Sequence, residues 1–513
     1  MNGFLAILAI LISGLAMLPE EKRLDLTLRL SKRDILLFGL PSLTILVVVY
    51  SPVFLATAWF KPIQWIWGFN EERMVSLCII LIMIFSVMKL ASPTLPKSSF
   101  NRWKIKSQVY LRNKKFHQLG YVFDRYHEQL FDIVEKKVWH VDAHNKIKPK
   151  LIALIGLDGK SKKWYTTYLN NIRARLAHLF PASCRHQDIL RLSISKLLKS
   201  RQFVSFLVET HPLIAAKATK LPIPDSDEYL IAFFTASLSN TSSPLYREIR
   251  DNQNFSYSQG FYLDESNEIL NFFFNDVKVA KKIGVWKPVG DLTVEYIKGQ
   301  TGDNNFYNQP YDNYSQSEEI WISQIFIGIQ FFDIMVSRAI YQRLDDHMWL
   351  SYLENFVDEI LKLINRNPDA DLESEFPTKW DYILYHIFSC CECWCGALRN
   401  LVFTEEQTQN RKIYPEYWAC KLLGCLLRKI LISKKTTGRQ KKYFLEITLR
   451  LMRELDHSNL SLYSSVVFDS CIREYEHSKV DINVVNILRI FYGKVDHILR
   501  YPDSSFQVNL NKI

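Results

Sequence analysis

The chain has 513 residues, of which 48% are hydrophobic and 23% charged, and its formal net charge is +11. This hydrophobic fraction excludes an intrinsically disordered chain, and the length is sufficient for two or three domains of ordinary size. Aromatic residues make up 13% of the chain, while glycine and proline are few, which favours packed helices over a β-rich fold. We therefore expect a mainly α-helical protein.

Three apolar stretches dominate the first 92 residues, at residues 1–18, 35–60 and 74–91. A bilayer core about 30 Å thick needs about 20 apolar helical residues, because each residue rises about 1.5 Å. The middle stretch has no charged residue, and the third contains only Lys89, near its end. We therefore predict a transmembrane anchor of three helices, with a cleaved signal peptide as the alternative for the first stretch.

The basic residues around these stretches predict an orientation. Lysine and arginine are retained on the cytoplasmic side of a membrane, and here they are sparse only between the second and third stretches. We expect a multi-pass protein of a bacterial inner membrane, with its N-terminus outside and its large C-terminal region in the cytoplasm. The residues after the third stretch would form a basic collar on anionic lipid, and we expect no nucleic-acid partner. The collar consists of Lys97, Arg102, Lys104, Lys106, Arg112, Lys114 and Lys115.

The remainder of the chain shows mostly helical periodicity. Apolar residues recur at helical spacing from Trp103 to Val138, which predicts one long helix or a helical pair. A short apolar run ending at an Asp-Gly turn predicts a small β element near residues 150–169. The apolar stretch 320–335 contains Gln324, Gln330 and Asp333, so we expect it to be buried in protein.

We divide the chain into the anchor at 1–92, a juxtamembrane segment and first helical domain at 93–220, a second helical segment at 221–297, a mobile polar loop at 298–318, and an all-helical C-terminal domain at 319–513.

A short motif at residues 156–163 resembles the phosphate loop of the thymidylate-kinase-like nucleoside kinases, in which Gly-Leu-Asp-Gly leads to Gly-Lys-Ser/Thr. Ser161 stands where that family has its second glycine, and Lys163 replaces the metal-binding hydroxyl. The resemblance implies a degenerate nucleotide site. The alternative is that the same residues form an Asp-Gly hairpin turn. The candidate nucleotide-binding residues are Gly156, Asp158, Gly159 and Lys162.

Cysteines concentrate near residues 390–425, with His386 one helical turn before Cys390. Cys390 and Cys393 have CxxC spacing, and a second pair could complete a tetrahedral zinc site. The same cysteines lie in an apolar helical pattern, and cysteine often packs as a small apolar group, so core packing and a redox role are the alternatives. Because cytoplasmic thiols stay reduced, we predict no structural disulfides. The candidate metal ligands are Cys390, Cys393, Cys420 and Cys425.

Arg173 and His178 have the Arg-x4-His spacing of the helical ribonuclease domains called HEPN, which they resemble. That resemblance implies that the two side chains, from paired protomers, act on RNA phosphate. The sequence departs from the family at Ala174, where a polar residue is usual. A long basic helix gives the same spacing by chance.

The sequence contains no nucleophile elbow, no HExxH motif and no dinucleotide fingerprint. We therefore expect a membrane protein that is not an enzyme, has no cofactor, and acts as a scaffold, sensor or interaction module with a protein partner or a second copy of itself. One alternative is a membrane effector that oligomerises or disrupts the bilayer on a trigger, as in anti-phage defence. Another is an enzyme that binds a nucleotide at residues 156–163.

Overall fold

The computed structural model describes most of the chain after residue 17. The described residues are 13, 17–56, 68, 70–91, 94–139, 141–143, 184–252, 263–302, 305–311, 317–346, 349–366, 370–404, 407, 409–475, 477–500 and 504–513. This part is 75% helical and contains no strand, so the prediction of a mainly α-helical protein is confirmed. The β element predicted near residues 150–169 lies outside the described residues.

The described chain forms two compact units, Met1–Tyr229 and Leu230–Ile513. Helices of the first unit are α1 (Glu20–Arg29), α2 (Lys32–Val49), α3 (Ser51–Ala56), α4 (Glu71–Ala91), α5 (Phe100–Arg112), α6 (Phe116–Glu135), α7 (Arg185–Leu198), α8 (Arg201–Thr210) and α9 (Pro212–Ala218). Helix α10 (Ser226–Ser239) contains the boundary between the two units.

The second unit consists of the remaining helices, the longest of which lie between residues 324 and 457. They are α11 (Pro244–Asp251), α12 (Glu268–Phe274), α13 (Val277–Ile283), α14 (Trp286–Lys298), α15 (Ser317–Trp321), α16 (Gln324–Tyr341), α17 (Ser351–Leu363), α18 (Lys379–Ala397), α19 (Pro415–Ile432), α20 (Gly438–His457), α21 (Ser461–Ile472), α22 (Ile482–Tyr492) and α23 (Ser505–Asn511). Short 3-10 turns lie at Lys97–Ser99, Phe306–Asn308, Leu398–Asn400, Arg411–Ile413 and His497–Leu499.

The prediction of a transmembrane anchor at residues 1–92 is wrong. Among the described helices, none is both long enough and apolar enough to cross a membrane. The predicted span at 35–60 is divided between α2 and the six-residue α3, and the span at 74–91 lies in α4, which begins with two glutamates and an arginine. The span at 1–18 falls almost wholly outside the described residues. The prediction of a multi-pass inner-membrane protein, together with the predicted orientation, is wrong for the same reason.

Helices α2 and α4 pack against each other as an antiparallel pair. At one end Asp34, near the start of α2, forms an ion pair of 2.9 Å with Lys89, near the end of α4. At the other end the hydroxyl of Ser51 donates to Glu71 at 3.4 Å. Between these ends Phe38 meets Phe85 edge to face, and the side chain of Cys78 is buried. Polar contacts thus fix the register of two largely apolar helices.

The helical pattern from Trp103 to Val138 forms a pair, α5 and α6, as one of the two alternatives predicted. The break falls at Lys114, whose φ of 54° places it in the left-handed region that ends a helix. In α6 the buried residues Leu119, Val122, Phe123 and Tyr126 follow the i, i+3, i+4, i+7 spacing of one helix face. This face packs against α1, α7 and α8.

In the second unit, α16 is a central helix buried along almost its whole length. Every residue from Ile325 to Ile340 is buried, as expected for the stretch 320–335. Helix α14 approaches α16 closely at Gly328, where an added Cβ would lie 2.1 Å from the Thr293 hydroxyl. Helices α18 and α19 also pack on α16. The apolar character of this stretch therefore comes from burial on all sides within the unit.

Helices α19 and α21 make the closest approach to each other at Gly424. An ideal Cβ at this position would lie 2.2 Å from the backbone oxygen of Val467 and 2.8 Å from the Ser470 Cβ. Because one of these neighbours is backbone, no rotamer change can relieve the clash. Glycine is required here for the two helices to touch.

We expect Gly424→Ala to destabilise the second unit by about 1–3 kcal/mol, since the added methyl group must push two packed helices apart. Gly438→Ala is the matched control, because no atom lies within 4 Å of the Cβ built at Gly438, the first residue of α20. Urea unfolding followed by circular dichroism measures both variants. Equal unfolding midpoints for Gly424→Ala and the wild type would show that the contact between the helices is looser than described.

Candidate functional site

Two of the motifs singled out in the sequence are not placed by the structure. The nucleotide-loop candidates Gly156, Asp158, Gly159 and Lys162 lie outside the described residues, as do Arg173 and His178. Nucleotide binding and RNA cleavage at these motifs therefore stay predictions.

The cysteine-rich segment lies in α18, and most of its side chains point into the core. Cys390, Cys391 and Cys395 are buried, as is His386. The His386 ring stacks on Phe326 with centroids 4.2 Å apart, and its Nε2 is 3.9 Å from the Cys390 Sγ. This geometry places the histidine and the thiols among aromatic and aliphatic side chains of α16 and α18.

Burial sets the protonation state of this cluster. It raises the pKa of the Cys390 and Cys391 thiols well above the ordinary range, with Asp333 adding to the effect. It raises the pKa of the half-buried Cys393 to about 12 and lowers that of His386 to about 4. The thiolate is the form that ligates metals and attacks electrophiles, so these thiols are held in their inert form.

The candidate zinc ligands do not form a ligand group. Among the described residues, no three His, Cys, Asp or Glu side chains are placed to hold a metal ion together. Cys420 is buried in α19, where it contacts Cys395, whereas Cys425 is half-buried one turn further on, with its pKa raised to about 11 by burial. The described cysteines are all free. Their arrangement matches the core-packing alternative.

A polar group in the same core joins α16 to α18. The Asp333 carboxylate accepts hydrogen bonds from the Trp394 indole at 2.9 Å and from the Gln330 amide at 3.2 Å. The same Gln330 amide nitrogen donates to the backbone oxygen of Asn252 at 2.8 Å. Asp333 is 2% exposed. These bonds stabilise the packing of α16 against α18.

The basic collar predicted for lipid contact lies on and around α5. Two of its members contact α1: the Lys115 ammonium pairs with Glu20 at 2.7 Å, and the Arg102 guanidinium donates to the Thr27 backbone oxygen at 3.0 Å. The side chains of Lys97, Lys106, Arg112 and Lys114 are exposed, and that of Lys104 is half-buried. Contact between these residues and anionic lipid stays a prediction.

The outer sides of α2 and α4 carry a surface of large, exposed apolar side chains, which we call the apolar surface. It consists of Ile35, Leu36, Leu37, Leu40, Leu43 and Leu46 on α2, and Leu77, Ile80, Leu81, Met83, Ile84, Val87 and Met88 on α4. Each is at least 37% exposed. Exposed apolar side chains on a monomeric protein are usually scattered singly, whereas these thirteen lie on one pair of helices. Such a surface is typical of an interaction site.

A buried ionic cluster fixes the helices that carry the apolar surface. Arg29 of α1 forms a bidentate contact with Asp25, donates to the Tyr126 hydroxyl at 2.7 Å and donates to the Lys89 backbone oxygen at 3.0 Å. Tyr126 in turn donates to Asp25. Burial, followed by the Asp25 carboxylate, raises the pKa of Tyr126 to about 12. The cluster therefore ties α1, α4 and α6 together through one guanidinium.

The residues of the apolar surface form apolar runs in the sequence, and these runs led to the incorrect prediction of membrane spans. The ion pair between Asp34 and Lys89, by contrast, joins residues far apart in the chain. No local spacing signals that pair.

Comparison with known proteins adds no family: neither the protein-family models nor the curated proteins nor the solved structures give a match.

Acid should destabilise the protein through His386. Its pKa is about 4 in the folded chain, against an ordinary value of about 6.5, so the unfolded state takes up the proton first as the pH falls. The neutral His386 contributes fully to the free energy of unfolding above about pH 6.5, and this contribution is lost as the pH falls towards 4. Between about pH 7.5 and about pH 5 the free energy of unfolding should therefore fall by about 2 kcal/mol. Urea unfolding at the two pH values measures it.

His386→Phe keeps an aromatic ring on Phe326 and should remove this part of the pH dependence. His497→Gln is the control, because the His497 side chain is 84% exposed and its partner among the described residues is the neighbouring Asp496. The same pH dependence in His386→Phe and the wild type would contradict the assignment.

The buried thiols should resist alkylation in the folded chain. We expect iodoacetamide to modify Cys390, Cys391 and Cys395 at least about 100-fold more slowly in the native chain than in urea, since both access and the thiolate are lacking. The half-exposed Cys184 serves as the control within the same sample. Mass spectrometry of the peptides gives each rate. Rapid native modification of Cys391 would show that α18 is not packed as described.

Proposed function

We propose that this chain is a non-catalytic interaction module that associates with a second copy of itself through the apolar surface of α2 and α4. The observation that carries the proposal is the exposure of that surface. It is supported by the inert, buried state of the cysteine cluster in α18, which was the densest group of chemically active side chains in the sequence.

A second copy is the occupant that the composition of the surface favours. A two-fold interface must be self-complementary, because the same patch faces itself across the axis. A surface of aliphatic side chains satisfies this condition without matching charges. The charged residues of the pair lie at its ends, at Asp34 with Lys89 and at Glu71, and leave the middle apolar.

The spacing of the side chains also suits such a dimer. Leu36, Leu40 and Leu43 follow i, i+4, i+7 spacing on α2, and Ile80, Ile84 and Val87 follow it on α4. Side chains at this spacing form ridges that fit the grooves of a facing helix, so two helix pairs can pack as a four-helix bundle.

The two alternatives for function have no supporting observation among the described residues. The nucleotide-binding enzyme depends on residues 156–163, which are not described. The membrane effector depends on spans that the described helices do not provide.

Substitution of the apolar surface tests the proposal. We expect the full-length protein to sediment as a dimer, and Leu40→Glu or Ile84→Glu to raise its dissociation constant about 100-fold or more, because each would bury an unpaired carboxylate. Ile490→Glu on α22 is the matched control, since Ile490 has similar exposure in the second unit. Analytical ultracentrifugation over a range of concentrations gives the constants.

A wild-type chain that remains monomeric at every concentration would refute self-association. A chain that floats with vesicles of anionic phospholipid, and whose flotation Ile84→Glu abolishes, would assign the apolar surface to lipid instead. Equal dissociation constants for Ile490→Glu and Ile84→Glu would place the interface elsewhere.

A further inference from the structure

A pocket of about 280 Å³ lies between α19 and α21 in the second unit. Tyr417, Lys421 and Cys425 line it at i, i+4 and i+8 along α19, and Val466, Asp469 and Arg473 line it along and just after α21. Arg411 closes one side from the 3-10 turn at Arg411–Ile413. The pocket adjoins the close helix contact at Gly424, so its walls belong to well-packed helices.

The lining is predominantly basic. Of the described lining residues, Arg411, Lys412, Lys421 and Arg473 are cationic, and Asp469 and Glu474 are anionic. Cationic groups gathered in a partly desolvated cleft repel one another, and a bound anion relieves that repulsion.

Two of these cations lack an acidic partner among the described residues. The Nε of Arg411 is buried and has no hydrogen-bond acceptor in that part of the chain. The Lys421 ammonium lies 4.4 Å from the centre of the Trp418 ring, a cation–π contact that holds it without neutralising it. By contrast, Arg473 is occupied, since its Nη1 donates to the Ser478 backbone oxygen at 2.7 Å.

The lining also contains a thiol and a carboxyl group. Burial raises the pKa of Cys425 to about 11, which keeps this thiol protonated at neutral pH. Partial burial also raises the pKa of Asp469, although Arg473 opposes the shift.

We propose that this pocket binds a small phosphate monoester, with the phosphate held by Arg411 and Lys421 and the organic part lying against Tyr417. A phosphate monoester carries a charge of about −1.5 to −2 at neutral pH, so it attracts both cationic side chains at once. Arginine recognises phosphate through paired, charge-assisted hydrogen bonds, and lysine binds it as a point charge. The volume is at the small end of ligand pockets, which run from about 300 Å³ upward, so the ligand is a compact molecule.

Calorimetric titration of the full-length chain tests this proposal, which uses residues unrelated to the apolar surface. The probes are phenyl phosphate and adenosine 5′-monophosphate, with benzoate and adenosine as matched compounds that lack phosphate. We expect at least one ester to bind saturably, and its counterpart without phosphate to bind at least ten-fold more weakly.

Arg411→Gln and Lys421→Gln should each weaken binding of that ester ten-fold or more, whereas Lys421→Arg should retain most of the affinity. Lys434→Gln, an exposed lysine in the loop after α19, is the matched control. Circular dichroism confirms that each variant is folded. No saturable binding of either ester would overturn the proposal. Equal binding of benzoate and phenyl phosphate, or equal losses in Lys434→Gln and Lys421→Gln, would overturn it as well.

Discussion

One buried arginine joins three helices of the first unit, α1, α4 and α6. The Arg29 side chain is 1% exposed, and its guanidinium contacts Asp25, Tyr126 and the carbonyl at the end of α4. A charge withdrawn from water in this way is tolerated only while its partners remain, and removal of one partner from such a pair typically costs about 3–5 kcal/mol. The position of α4, and with it the apolar surface that it shares with α2, therefore depends on hydrogen bonds formed far from that surface.

The second unit is organised differently, around an apolar helix and not around a charge. Because α16 is enclosed on all sides, its neighbours must present small or well-fitting groups, as Gly328 does to Thr293. The same enclosure explains the cysteines of α18, which fill space beside α16 with their thiols protonated. The buried Asp333 carboxylate is an exception to this apolar packing, and it accepts hydrogen bonds from Trp394 and Gln330. Residues that suggested chemistry in the sequence thus contribute to packing in the structure.

Periodicity predicted the helical fold and gave the pairing of α5 with α6 as one of two alternatives, because these properties depend on residues three or four apart. The polar residues within 320–335 predicted burial in protein, which the structure shows from Ile325 onward. The membrane prediction failed where the answer depended on distant residues. A run such as 35–60 is apolar whatever surrounds it. Its residues alone do not indicate that Asp34 forms an ion pair with Lys89 or that α2 ends at Val49. The pocket escaped prediction for a related reason: Arg411, Lys421 and Arg473 come from separate elements that only the crossing of α19 and α21 brings together.

The dense packing of reduced cysteines in α18 also affects whether unfolding of the protein is reversible. Cys390, Cys391, Cys393 and Cys395 fall within six residues, so any opening of this helix releases several neighbouring thiols at once. In the unfolded chain their thiolates form readily, and air oxidation can then join them in non-native disulfides or carry them to sulfinic acids. Refolding competes with that chemistry. Unfolding under oxidising conditions is therefore expected to become irreversible, and the practical lifetime of the protein is set by the rate at which its core opens.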